Sequence, residues 1–179
     1  PEDMARVHEY SCDLLKKNGI NINNERALKV FKEHGFKVDG SQIYMTEQQI
    51  QAALDTIPSH FVFEAIDPKK SVDLGSGEYC TCTPIGPINI RTLDRGLEPG
   101  SLKSCTELTK IYQASDIIKI NTNNGVEAND IPVENRHLEV MRMVLNHTDK
   151  PIYTSLFDYE QMHQAMDMME IVTGEKLEK

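Results

Sequence analysis

Apolar positions open the chain at helical spacing. Met4, Val7, Leu14 and Leu15 form a stripe that stops at Asn18-Gly19, where glycine can take the left-handed conformation of a helix end. A second helix follows, capped by Asn23 or Asn24, with Ala27, Leu28 and Phe31 on its buried face and Gly35 just past its end. The period then becomes two. Phe36, Val38, Asp39-Gly40, Ile43 and Met45 predict a hairpin with a tight turn at Asp-Gly. Thr46 and Gln49 have the spacing of a capping box for a third helix, with Ile50, Ala53, Leu54 and Ile57 on one face and Pro58 as its stop. Residues 60–90 read as β, with Phe61-Val-Phe63, Val72 and Leu74 punctuated by Asp67-Pro68 and by glycines and prolines. Ser104 and Glu107 predict another capping box, opening a helix with Leu108, Ile111 and Tyr112 inside.

Beyond residue 115 the pattern changes class. A short apolar strand at 117–120 is followed by a helix at 133–145 with Leu138, Met141, Val144 and Leu145 inward. A second strand at 151–157 and a second helix at 159–172 complete the series. Strand, helix, strand, helix with short links is the signature of parallel βαβ units, so the fold class is α/β. Two such units are the opening of a barrel or of a doubly wound sheet, because parallel sheets need several strands with both faces covered. The expected division is therefore an N-terminal α+β segment, 1–115, and the first two βα units, 116–179, of a larger and here truncated domain.

Charge narrows the partners. The 179 residues hold 19 Lys and Arg against 28 Asp and Glu, a net charge of −9, which repels phosphate backbones and anionic lipid, so no nucleic acid and no membrane partner is expected. No apolar run approaches the roughly 20 residues of a membrane span, and residues 1–10 lack the apolar core of a secretory signal. A cytoplasmic location is the expectation. Four scattered cysteines do not make a disulfide framework at this length.

Candidate chemistry concentrates at two places. Cys80-Thr-Cys82 puts two thiols on one face of a strand, where with a histidine they would bind zinc. The spacing is shorter than zinc sites favour, there is no second pair, and small side chains filling a β layer are the plainer account. Gly75-Ser-Gly77 lacks the third glycine and following helix of a dinucleotide site and reads as a turn. The strand ends of the βαβ half are better ground, because ligands of such sheets bind outside the carboxyl ends of the strands. The first strand runs into a polar loop, 121–130, offering Asn123, Asn124, Glu127 and Asp130 to a ligand; the second runs towards Phe157 and Tyr159, whose ring faces suit a cation. A solvated connection is the competing account of that loop. The stripe Met162, Met166, Met169 reads as core.

The order of short pieces along the chain resembles the trimethylamine methyltransferase family. They are Leu15-x-x-Asn-Gly-Ile20, Ala27-Leu28, Gly35, Val38-Asp39, Ile57-Pro58, Phe61, Asp67-Pro68 and Gly86-Pro87. Asp94-x-Gly96, Pro99-Gly-Ser101, Asp116-Ile-Ile118, Asn129-Asp-Ile-Pro132, Arg136-His-Leu138 and Asn146-x-Thr-Asp-Lys-Pro151 continue them. Glu98 and Glu107 depart from the arginine and aspartate usual at those places. The resemblance implies a TIM (βα)8 barrel preceded by an N-terminal segment, of which this chain would hold that segment and about a quarter of the barrel. It also implies methyl transfer from a methylated amine to the Co(I) of a corrinoid, a cobalamin-type cofactor carried by a separate corrinoid protein, with no cofactor bound by this chain itself. Glycine betaine or another quaternary amine is preferred over trimethylamine, and the pyrrolysine position of some members would fall beyond Lys179. On this reading Asn124, Glu127, Asp130, Phe157 and Tyr159 bind substrate, the catalytic residues lie elsewhere, and the chain alone lacks turnover. A zinc-dependent methyltransferase using Cys80 and Cys82, and a non-catalytic small-molecule-binding module, are the alternatives; homo-oligomerisation stays open.

Overall fold

A computed structural model describes residues 2–156 and 158–177, and the chain divides into two compact units, Pro1–Ser59 and His60–Lys179. The first unit is three helices around a three-stranded antiparallel sheet. Helix α1 spans Glu2–Lys17, β1 Ile20–Asn21, α2 Glu25–Glu33, β2 Lys37–Asp39, β3 Gln42–Tyr44 and α3 Glu47–Leu54, with strand order β1-β3-β2. Local chemistry sets the ends. Asn24, not Asn23, caps α2 by accepting from the Ala27 amide at 2.9 Å. Thr46 and Gln49 close a reciprocal capping box on α3. Gly19, at φ 70°, passes so close under β3 that a Cβ there would strike the Ile43 carbonyl oxygen and the Tyr44 ring. Ile43 is fully buried and Phe31 packs edge-on to Phe36 at 5.1 Å, but the sheet is too small to cover much more. The expected inward stripe of α1 therefore lies largely in the open, with Met4, Val7 and Leu14 exposed and Cys12 the buried residue of that helix; Leu54 and Ile57 are exposed as well.

The second unit begins with an antiparallel pair, β4 (Phe61–Phe63) and β5 (Val72–Leu74), linked through a single 3-10 turn at Pro68–Lys70 that Asp67 caps. Strand β6 (Thr81–Cys82), the hairpin β7 (Asn89–Thr92) and β8 (Gly96–Pro99), α4 (Leu102–Ala114), β9 (Ile118–Thr122), α5 (Val133–Leu145), β10 (Ile152–Tyr153) and α6 (Tyr159–Thr173) follow. The parallel sheet has the order β10-β9-β6. Strand β6 was expected in the N-terminal β layer; it instead pairs in parallel with β9, so that three strands in sequential order, each followed in the chain by a helix, build the sheet. The described residues thus form a mixed α/β structure with six α-helices.

Three further readings are corrected. Helix α4 starts three residues earlier than expected: Ser101 is its cap and Ser104 its capping-box partner, while Glu107 is drawn off to Arg95 at 3.0 Å. Ile111, expected inward, is 62% exposed. The second parallel strand is only Ile152–Tyr153, and Phe157 lies outside the described residues. The core between α4, α5 and the loop after β9 consists of Cys105, Val126, Ala128, Val140, Met143 and Val144, with Ile152 and Leu108 against it.

At the amino ends of the parallel strands a buried lysine ties three elements together. Lys150, 7% exposed, donates to the carbonyls of Tyr112 (2.7 Å), Ser115 (2.6 Å) and Ile118 (2.7 Å). Its neighbours finish the knot. Thr148 donates to Gln113, Gln113 donates to Asp149 at 2.7 Å, and Lys70 pairs with Asp149 at 2.6 Å. A cavity of about 360 Å³ opens beside this knot, lined by Lys69, Lys70, Asp73, Asp116 and Lys119 among others.

Candidate functional site

The polar loop after β9 is not a solvated connection. Asn121, Thr122, Asn123, Gly125, Val126 and Ala128 are all buried, and only Asn129 and Asp130 of that stretch are exposed. Backbone hydrogen bonds hold it from the chain on either side of β7 and β8. The Gly86 amide donates to Asn124 O (3.2 Å), the Glu127 amide to Pro87 O (2.9 Å) and the Asn129 amide to Gly100 O (3.1 Å). Gly100 is obligatory at this approach, because a Cβ would strike the Glu127 carbonyl oxygen and the Val126 side chain.

A pocket of about 100 Å³ lies at the carboxyl ends of β9 and β10, lined by Asn123, Asn124, Glu127, Arg136, His137 and Ser155 with Val133, Val140 and Gln161. It is smaller than the cavity at the other end of the sheet, yet it sits where parallel α/β sheets bind ligands. Its walls are fixed by several contacts. Asn124 donates to Glu127 Oε1 at 3.2 Å, and the Arg136 guanidinium stands 3.5 Å from Glu127 Oε2, each of the pair one-quarter exposed. Arg136 is anchored by two of its nitrogens on the Ile131 carbonyl, at 3.2 and 3.0 Å. The Asn123 side chain accepts from the Ser155 amide at 3.3 Å, linking the loops that follow the two strands.

Two buried side-chain atoms of this pocket have no hydrogen-bond partner among the described residues. Asn124 Oδ1 is buried without a hydrogen-bond partner, and so is His137 Nδ1. The state of His137 follows from its other contacts. Glu160 can only accept, so the amide of Gln164 turns its NH2 towards it (3.2 Å) and presents Oε1 to His137 Nε2 at 2.6 Å. Nε2 therefore carries a hydrogen, and in the neutral ring Nδ1 is left as a lone pair.

Of the five expected binding residues, Asn124 and Glu127 line the pocket. Asp130 does not: its carboxylate accepts from the Leu102 amide at 2.8 Å and so caps the start of α4. Tyr159 is 73% exposed at the start of α6, its ring packed on His163 at 4.1 Å rather than lining the pocket. Phe157 lies outside the described residues. Arg136, His137 and Ser155 were not expected; the polar positions on the first turns of the helix after the loop were the available signal.

The cysteine pair has no such surroundings. Cys80 is half-buried and Cys82 exposed, burial and then the Cys80 thiol push the Cys82 thiol above its usual range, and no group of three metal-ligating side chains occurs among the described residues. No helix among the described residues is long and apolar enough to cross a membrane.

The chain is 26% identical over 175 residues to a glycine betaine methyltransferase of Desulfitobacterium hafniense (strain Y51), covering 98% of this chain and 36% of that protein. It is 24% identical over 156 residues to the L-carnitine:corrinoid methyltransferase of Eubacterium limosum, covering 87% and 32%. It is 27% identical over 156 residues to the proline betaine:corrinoid methyltransferase of the same organism, covering 84% and 31%. The chain thus spans about a third of the length of these curated relatives. The family model for trimethylamine methyltransferase (MTTB) matches residues 1–179, and the chain belongs to that family.

Proposed function

We infer that this chain is the N-terminal segment and the opening βα units of a TIM-type (βα)8 barrel. That barrel moves a methyl group from a methylated amine to the Co(I) of a corrinoid held by a separate protein. A quaternary amine such as glycine betaine is the preferred donor over trimethylamine. The observation that carries the reading is the pocket at the carboxyl ends of β9 and β10, where a carboxylate and two buried polar atoms without partners among the described residues gather in a chain matched throughout by the family.

The chemistry asks little of the protein beyond holding and aiming. Co(I) attacks a methyl carbon, the C–N bond breaks with its electron pair returning to nitrogen, and the new C–Co bond leaves cobalt oxidised by two electrons. A quaternary amine departs as a neutral tertiary amine, so no general acid is needed, and the gain comes from alignment. Glu127 supplies negative charge, and the Asn124 carbonyl oxygen a negative dipole end, around the ammonium. The strands that complete the barrel mouth come from the rest of the protein, so the 179-residue chain is expected to lack turnover.

The test is to mix full-length protein with reduced corrinoid protein and a panel of quaternary amines and trimethylamine, following the cobalt absorption. Methylation of Co(I) with glycine betaine is expected. Stoichiometric binding without methylation by any amine of the panel would replace this reading with that of a binding module.

A further inference from the structure

We propose that Arg136 is the residue that selects a zwitterionic donor, binding the carboxylate of a betaine while Glu127, Asn124 Oδ1 and His137 Nδ1 surround its ammonium end. The inference rests on the pocket assigned above and names what that pocket prefers within the class of methylated amines.

The donor count makes Arg136 available. A guanidinium has five N–H groups. Nε and one terminal nitrogen each give one to the Ile131 carbonyl, and the other terminal nitrogen gives one to Glu127 across 3.5 Å. One N–H on each terminal nitrogen is left, and a carboxylate can accept from them. The clamp on Ile131 pre-orients the guanidinium, and the long contact with Glu127 is not a bidentate pair that would consume these donors.

The other polar atoms of the lining fit a cation that cannot donate. Asn124 Oδ1 and His137 Nδ1 are buried acceptors for which the described residues supply no hydrogen-bond donor. The polarised methyl groups of a quaternary ammonium make C–H contacts with such atoms and bring the positive charge that Glu127 balances. A simple cation would leave the Arg136 fork unpaired in a partly desolvated pocket. A zwitterion satisfies both groups of atoms, and the ion pair already present becomes a dipole aligned against that of the ligand.

Two independent readouts test this on the full-length protein. Calorimetric titration with glycine betaine and with tetramethylammonium, which has no carboxylate, reads recognition; methylation of reduced corrinoid protein reads turnover. The wild type is expected to bind glycine betaine at least about tenfold more tightly than tetramethylammonium, the worth of a charged hydrogen bond. Arg136→Gln is expected to weaken glycine betaine about ten- to a hundredfold and tetramethylammonium by less than about twofold. Arg136→Lys, which keeps the charge but loses the fork, is expected to lie between, and it carries the test if the glutamine variant does not fold. Equal affinity of the wild type for the two ligands, or equal weakening of both in the variants, overturns the assignment. Turnover with betaine that is indifferent to Arg136 sinks this inference and leaves the proposed function standing. Selective, Arg136-dependent binding without turnover does the reverse.

Discussion

Replacing Lys150 by methionine tests whether the amino-end knot is a net support or a burden. The substitution keeps most of the stem's apolar contacts and removes the ammonium that the carbonyls of Tyr112, Ser115 and Ile118 share. The first two belong to the end of α4, whose negative pole the ammonium also neutralises. Losing it strands three inward carbonyls at about 1–3 kcal/mol each if none finds water, against which stands the relief of no longer burying a charge. That burial cost is real: desolvation is the main reason the Lys150 pKa falls below its ordinary value. A net loss of about 2–4 kcal/mol is expected, a large share of a typical 5–15 kcal/mol stability and worth roughly 10 °C in Tm. Thermal unfolding followed by circular dichroism measures it, and amide exchange of Ile118–Thr122 should quicken first, because β9 starts at one of the three carbonyls. A variant as stable as the wild type, or more so, would refute the reasoning by showing that the carbonyls are well served without the charge.

Three other outcomes are expected. Gly100→Ala should cost about 1–3 kcal/mol in chemical denaturation and weaken betaine binding, since the new Cβ displaces the Glu127 backbone; unchanged binding would detach the loop from the site. Cys105, buried, donating to Val126 O at 2.8 Å and with its pKa pushed up to about 11, should resist iodoacetamide at pH 8 until the protein unfolds, while exposed Cys82 reacts in the native state. Asp149 is held below its usual 3.8, chiefly by the Lys70 hydrogen bond, so its contribution is present above pH 3.8 and is lost as pH falls through the lower folded value. Asp149→Asn should therefore remove part of the acid-induced fall in Tm, and an identical acid profile would show that the pairing is energetically idle.

Legibility followed the range of the interactions involved. The capping box at Thr46 and Gln49 and the helix Val133–Leu145 were readable because neighbours in sequence decide them. The start of α4 was misread because Ser101 and Ser104 form the same motif as Ser104 and Glu107, and distant partners favour the earlier one: Arg95 takes Glu107, and Asp130 accepts from the Leu102 amide. Strand β6 carries no local mark of its parallel partner: two residues have no period, and the pairing with β9 depends on a sheet assembled across the hairpin and α4. At the site, the carboxyl-end rule located the loop, and Asn124 and Glu127 with it. It did not tell Asp130 from them, because helix capping and ligand binding ask for the same side chain. Arg136 and His137 sit within a helix and look, in sequence, like ordinary surface polarity.

The loop after β9 is fastened by its peptide groups, to Pro87, Gly100 and the Gly86 amide, and by the side chains of Asn123, Asn129 and Asp130, whereas those of Asn124 and Glu127 reach only each other and Arg136. Such an arrangement separates position from chemistry. On the proposed function, exchanging Asn124 or Glu127 is expected to alter what the pocket attracts without loosening the frame that holds it, shifting the preferred amine by a single substitution. The cost falls instead on Gly100, where any larger residue alters every preference at once.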